Sequence, residues 1–205
     1  MGSGMRIIAG THRHRKLLTP EGKTTRPMTD RVRENLFNIL SPQAVEGAIV
    51  LDLFCGSGAL GLEALSRKAA SCTFVDANRD ATRAVETNCE QLGLADRVRI
   101  ERRNALRPGE WILDAGGRGC SLLFVDPPYK MTACPDGQRH LADMAETLGR
   151  LGGLTPGAVA MLRARRGVSI ERPWPGFEVF DTRSYGTTTL HLMTYRQGWR
   201  SEETE

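Results

Sequence analysis

Asp126-Pro127-Pro128-Tyr129 is the stretch of this sequence whose residue types point most directly to chemistry. Two successive prolines fix φ and remove two backbone donors, and each keeps the residue before it extended. The Asp126 carboxylate and the neighbouring main-chain carbonyls then face outward as acceptors, beside an aromatic ring. That arrangement suits an amine conjugated into a ring, a poor nucleophile because its lone pair is delocalised. Hydrogen bonds from its two N–H groups to Asp126 and to the Pro127 carbonyl would hold it still and aim the lone pair at an electrophile. Pro128 fixes the turn, and Tyr129 can stack on the ring for about 1–3 kcal/mol. Asp126 is expected to orient the amine rather than to act as a base with a raised pKa. The amine is nearly non-basic before reaction and the cationic product gives up its proton readily, so geometry carries the catalysis.

A second constellation is Ile49-Val50-Leu51-Asp52-Leu53-Phe54-Cys55-Gly56-Ser57-Gly58-Ala59-Leu60-Gly61. Gly56, Gly58 and Gly61 satisfy a G-x-G-x-x-G spacing between an apolar run and a helical one. The glycines alone fit a nicotinamide cofactor equally well. Asp52 shifts that balance, because a carboxylate in an apolar strand needs a partner; it would repel a pyrophosphate but suits an ammonium. S-adenosylmethionine carries an ammonium and a sulfonium and no phosphate. No G-K-[ST] follows the glycines, which excludes a triphosphate loop. Asp76 ends the next apolar run, 18 residues after Gly58, where an acid can accept both hydroxyls of an adenosine ribose. Asn104-Ala105 follow the third run, where an adenine edge would lie, and an Asn can both donate to and accept from it.

These residues need a scaffold that brings them to one edge. Apolar runs at Ala48–Phe54, Cys72–Val75, Val98–Glu101, Leu122–Val125 and Val159–Leu162 read as strands. Helical periodicity covers Thr29–Leu40, which Pro42 ends, and then Ala59–Lys68, Arg79–Leu92 and Gln138–Leu151. Such alternation predicts an α/β fold with a doubly wound, mostly parallel sheet. Glu178–Phe180 and Leu190–Tyr195 are strand-like, and Asp181–Thr189 between them is too short for a helix, so they should close the sheet as an antiparallel hairpin. A hairpin-like basic extension precedes all this, with Ile7-Ile8 and Leu17-Leu18 flanking Gly10–Lys16. Met1–Gly4 read as an added leader before a second start-like Met5, 5–42 as the arm and its helix, 43–197 as the core and 198–205 as a polar tail.

Composition bounds the partners. The net charge is +4, but residues 5–33 hold eight basic side chains against two acidic ones, a segment of +6 that leaves −2 for the rest. A concentrated basic arm on a near-neutral body resembles a nucleic-acid binder, and Arg13, Arg15 and Lys16 are the candidates for phosphate contacts. The bland alternative is a solvated basic loop. No apolar run approaches the ~20 residues of a bilayer span. The five cysteines are widely spaced with no C-x-x-C pair, which argues against a disulfide framework or a zinc site. His140 and His191 lack nearby ligand partners, so no metal is expected. A monomeric cytoplasmic protein is the reading.

With both constellations in hand, the chain resembles the RsmD-type family of 16S rRNA guanine-N2 methyltransferases over Met5–Gln197. The resemblance rests on Arg6–Gly10, on Arg26–Asn38, on Asp52–Gly61 and Asp126–Tyr129, and on Tyr185-Gly186. It implies a Rossmann-like methyltransferase core and methyl transfer from S-adenosylmethionine to N2 of one guanine in small-subunit rRNA, within a ribosomal particle. It further implies that the Arg26–Glu34 segment, with Arg26, Thr29 and Arg33, closes over the methionine end of the cofactor. The family often has an acid where this chain has Asn104. A DNA amino-methyltransferase could use the same Asp-Pro-Pro-Tyr chemistry, although little chain remains for a separate target-recognition domain. A non-catalytic RNA-binding assembly factor would need the arm but neither motif, and a nicotinamide dehydrogenase does not explain Asp126–Tyr129.

Overall fold

The computed structural model describes residues 4–20, 28–114, 116–170 and 173–198. Its strands are β1 (Ile49–Leu53), β2 (Ser71–Asp76), β3 (Val98–Arg102), β4 (Cys120–Val125), β5 (Leu154–Arg165), β6 (Phe177–Tyr185) and β7 (Thr188–Tyr195). They form one sheet in the order β3-β2-β1-β4-β5-β7-β6. The first five are mutually parallel, while β7 runs antiparallel to both β5 and β6. The winding direction reverses between β1 and β4, and the crevice at the carboxyl ends of such strands is where ligands bind in open α/β sheets.

The central strands are apolar throughout because both faces are covered. Val50, Phe74, Phe124 and Met161 pack with α1 (Asp30–Ile39), α3 (Ala59–Ser66) and α4 (Arg79–Leu92) through Leu36, Leu62 and Val85. Leu51, Val125 and Leu162 pack on the other face with Leu141 and Leu148 of α6 (Pro135–Arg150). Pro42 was expected only to end the first helix; it opens a one-turn helix, α2 (Pro42–Val45), capped by Ser41, where a missing N–H costs nothing. A further turn, α5 (Tyr129–Thr132), follows the two prolines, and α6 begins three residues before the expected Gln138.

The carboxyl-terminal hairpin is tighter than the sequence suggests. Tyr185 pairs with Thr188, so only Gly186 and Thr187 form the loop. Gly186 has φ +58°, and Thr187 is absent from the positive-φ residues, the signature of a type II′ turn with Gly first. This places the turn beside the carboxyl end of β5, level with the pairing of Arg165 and Thr188.

Candidate active site

The cofactor end is built by the β1–α3 turn. Phe54 (φ +58°), Gly56 (φ +55°) and Gly58 (φ +74°) turn the chain left-handed, a conformation that a bulky residue such as Phe rarely adopts. A Cβ at Gly56 would meet nothing within 4 Å, so this part of the loop faces open space. A Cβ at Gly58 would approach Val85 and Phe74 to 3.0 and 3.1 Å, and one at Gly61 would strike Phe74 at 2.4 Å. Gly61 thus lets the helix lie on the sheet, as the third glycine of this spacing should. The Ser57 carbonyl accepts from Asn88 Nδ2 at 3.1 Å. Buried Asn88 also pairs through both side-chain ends with Leu18, joining the loop to the arm. Sequence reading missed it, because a buried Asn on an apolar helix face was its only signal.

Asp52 lies wholly buried under this loop, with Oδ2 accepting from Gly61 N–H at 2.9 Å and Oδ1 without a hydrogen-bond partner among the described residues. Burial pushes its pKa well up, the Gly61 bond opposes this, and the Asp126 and Asp76 charges push further up. Asp76 accepts from Gly56 N–H at 3.0 Å through Oδ2 and from Asn78 N–H at 2.9 Å through Oδ1. Each carboxylate oxygen retains acceptor capacity for a hydroxyl. Two acidic side chains, Asp52 and Asp76, bond the backbone of an open glycine loop, an arrangement that fits a cationic ligand such as S-adenosylmethionine and disfavours a pyrophosphate. Asn104 is exposed, and its Oδ1 accepts from Leu106 N–H at 3.0 Å. That Asx turn leaves the amide donor as its offer to an adenine, while Ala105 is buried behind it.

The segment that the resemblance assigns to the methionine end of the cofactor is described from Met28 onward. Arg26 lies outside the described residues. Thr29 caps α1 by accepting from Val32 N–H. Arg33 is wholly buried and donates to Asp30 at 3.0 Å, to Met5 Sδ and to the Arg6 carbonyl, with Glu63 at 3.9 Å. Among the described residues its partners lie in the arm, α1 and α3, away from the glycine loop. Burial lowers its pKa, opposed by Glu63 and Asp30.

The other end of the site is Asp126–Tyr129, tied to β1 by the Asp126 N–H to Leu53 carbonyl bond of 3.3 Å. Asp126 meets Arg163 Nε at 2.6 Å as an ion pair. Burial raises the Asp126 pKa, Arg163 lowers it, and the result is about 6. The raised value departs from the expectation for this residue, yet the carboxylate still predominates at neutral pH and can accept two N–H groups. Tyr129 lies under the Arg163 guanidinium at 5.2 Å from its ring centroid, and its hydroxyl meets Thr188 Oγ1 at 2.7 Å. Arg163 and Thr188 were both missed. Arg163 directly follows the apolar Val159–Leu162 run, so a charge closing a buried strand was the available signal.

Arg13, Arg15 and Lys16 are exposed. The arm forms the expected hairpin-like turn around an Arg6–Lys16 bridge. It is docked on the carboxyl ends of α3 and α4: Thr11 N–H reaches the Ser66 carbonyl at 2.8 Å, His12 Nε2 lies 3.1 Å from the Leu92 carbonyl, and Arg15 donates to the Gln91 carbonyl at 2.9 Å. Helix α4 starts at the ligand edge and runs 14 residues, roughly 20 Å at 1.5 Å per residue. The arm tip therefore lies at the opposite end of the molecule from Asp126.

The family model described as "Conserved hypothetical protein 95" matches residues 5–194. The chain belongs to this family, that of the RsmD-type methyltransferases. It is 45% identical over 130 residues to "Ribosomal RNA small subunit methyltransferase D" of Escherichia coli, covering 63% of each chain. It is 41% identical over 128 residues to "Putative rRNA methyltransferase YlbH" of Bacillus subtilis, covering 62% of this chain and 67% of that one. The sequence matches thus span about two thirds of these relatives' lengths. A solved Escherichia coli structure, "Putative methyltransferase yhhF", superposes with a TM-score of 0.76 at 32% identity, over 94% of this chain and 98% of that one. The RsmD-type chain described here shares their Rossmann-like sheet, with its antiparallel carboxyl-terminal pair.

Proposed function

We propose that this RsmD-type protein transfers a methyl group from S-adenosylmethionine to the exocyclic N2 amine of a guanine in small-subunit (16S) rRNA. The observation that carries the reading is the position of Asp126, which follows β4 at the switch point and is bonded through its N–H to the Leu53 carbonyl of the strand that leads into the open glycine loop. The rRNA substrate is supported by the names of the relatives.

The cofactor supplies an electrophilic methyl on a sulfonium. Gly56 to Gly58 would cradle its amino-acid portion, Asp52 would answer its ammonium through the loop, and Asp76 would hold the ribose. Asp126 and the Pro127 carbonyl would accept the two N–H groups of the amine. Asp, unlike Asn, offers acceptors only. These acceptors suit any exocyclic amine on a base, and the choice of guanine N2 rests on the resemblance to the RsmD-type family. Tyr129, fixed by Thr188 and Arg163, would stack on the base once it leaves its helix.

Single-turnover methylation of small ribosomal subunits tests this. Asp126→Ala should lose methylation by orders of magnitude while calorimetric affinity for S-adenosylmethionine stays within a few-fold. Asp126→Asn should fall between, and Tyr129→Phe should cost only the Thr188 bond, about 0.5–1.5 kcal/mol. Methylation of guanine N2 at the parental rate by Asp126→Ala would sink the assignment.

A further inference from the structure

Two arginines stand on β5 at positions 163 and 165, and they are not alike. Val125 is level with Leu162 in the β4–β5 register, so Asp126 comes level with Arg163. Side chains two apart on a strand share a face, which puts Arg165 on the face that carries Asp126 and Arg163. Arg163 is buried against Asp126, 3% exposed. Arg165 sits two residues further out, roughly 7 Å at 3.3 Å per residue, and is exposed. It pairs across the sheet with Thr188, the residue that holds the Tyr129 hydroxyl. Arg166 follows, exposed, with its backbone N–H bonded to the Thr187 carbonyl at 2.8 Å. Lys130, next to Tyr129, is also exposed.

Charge balance separates these cations from their neighbours. On the same hairpin Arg183 is answered by Asp181 at 3.0 Å and Arg196 by Glu178 at 2.5 Å. Among the described residues, no ion pair joins Arg165, Arg166 or Lys130 to an acid. Arg165 and Lys130 thus stand unanswered beside the residues that would receive the base, and Arg166 follows in the turn just beyond the strand. An extruded nucleotide brings its own backbone to that position, since the base enters while its phosphates stay outside.

We propose that Arg165, with Arg166 and Lys130, forms a phosphate clamp at the mouth of the site, holding the single-stranded backbone on either side of the target nucleotide. This rests on the nucleic-acid reading above. The clamp contacts phosphate rather than base edges, so it positions the nucleotide without selecting its sequence. It acts beside the reacting base, whereas the arm tip contacts whatever lies at the far end of the molecule.

The test measures binding of a mixed-sequence single-stranded RNA oligonucleotide to the full chain by anisotropy across a salt series. Each lost phosphate contact lowers the log–log slope by roughly 0.7, so R165A/R166A should lose roughly 1.4 and R165K/R166K almost nothing. Affinity for S-adenosylmethionine and Tm should stay at parental values in both, which separates a lost clamp from a damaged fold. If the parental protein binds RNA and methylates it while R165A/R166A keeps the parental slope, the clamp is wrong and the function stands. If the parental protein neither binds nor methylates any RNA, the functional reading falls and takes the clamp with it. Equal loss in the lysine and alanine variants would also overturn the clamp, since a phosphate contact survives on charge alone.

Discussion

The Asp126 carboxylate is held between two opposing influences, and its reactivity follows from their difference. Burial favours the protonated acid, and the Arg163 guanidinium at 2.6 Å favours the carboxylate, leaving a pKa of about 6. The ionised form accepts the amine N–H more strongly than the protonated acid and offers no competing O–H donor, so methylation should rise with pH through about 6 as a single proton leaves. Arg163→Gln removes the influence that lowers the pKa, so the acid limb should move to higher pH. It should also reduce kcat more than KM, because the Tyr129 ring loses the cation above it. Arg163→Lys keeps a charge and should restore much of the limb. A single-turnover pH profile checks both. Arg163 is thus a positioning residue, acting through Asp126 and Tyr129; a limb that does not move in Arg163→Gln would reduce it to a structural ion pair.

At the scale of elements, the arm is instructive because it buries so little of itself. Ile7 and Leu17 enter the core, but the anchor is Glu63 of α3, which is wholly buried. It accepts from Ile8 N–H at 2.7 Å and Ala9 N–H at 3.0 Å, and it pairs with Arg67 at 2.8 Å and Arg33 at 3.9 Å. Removing Glu63 leaves Arg33 with Asp30 at 3.0 Å as its remaining acid and strips the Ile8 and Ala9 N–H groups of their acceptor, at about 1–3 kcal/mol for each buried donor left unpaired. Glu63→Ala should therefore lower Tm and open the arm to limited proteolysis, while the sheet keeps its far-ultraviolet signature. A stable arm in that variant would mean that Ile7 and Leu17 suffice. This linkage was not legible in the sequence, since two of the anchor's bonds go to backbone N–H groups, which carry no residue signature. The strands were legible because burial on both faces makes them continuously apolar. Even so, β5 was read only as Val159–Leu162, when it extends through Pro156 and Gly157 at one end and Arg163–Arg165 at the other. Reading stopped where the apolar run stopped. A charge inside a run drew notice at Asp52, but the same logic applied one residue beyond a run would have found Arg163.

At the scale of the whole molecule, the two basic regions sit at opposite ends and should answer to different measurements. The charge excess of residues 5–33 suggested a single nucleic-acid footprint, but position along the sheet, which sequence does not encode locally, divides the cations. Arg13, Arg15 and Lys16 lie roughly 20 Å from the ligand edge, by the length of α4, and Arg15 already serves the carboxyl end of that helix through the Gln91 carbonyl. A cation there also complements the helix dipole, for about 0.3–1 kcal/mol. If the arm grips RNA as well, it grips a part of the particle remote from the target guanine. Binding energy from a remote contact that is equal in ground and transition states lowers KM without raising kcat. Replacing Arg13, Arg15 and Lys16 with Ala should therefore raise KM for small subunits and flatten the salt dependence of binding by roughly 0.7–0.9 per lost phosphate contact, with kcat near parental. Steady-state kinetics on assembled subunits at several salt concentrations separates the cases. An unchanged KM and slope would leave the arm with only its structural task of capping α3 and α4. A fall in kcat as large as the rise in KM would mean instead that the far end of the molecule communicates with Asp126, which the rigid sheet between them gives no physical reason to expect.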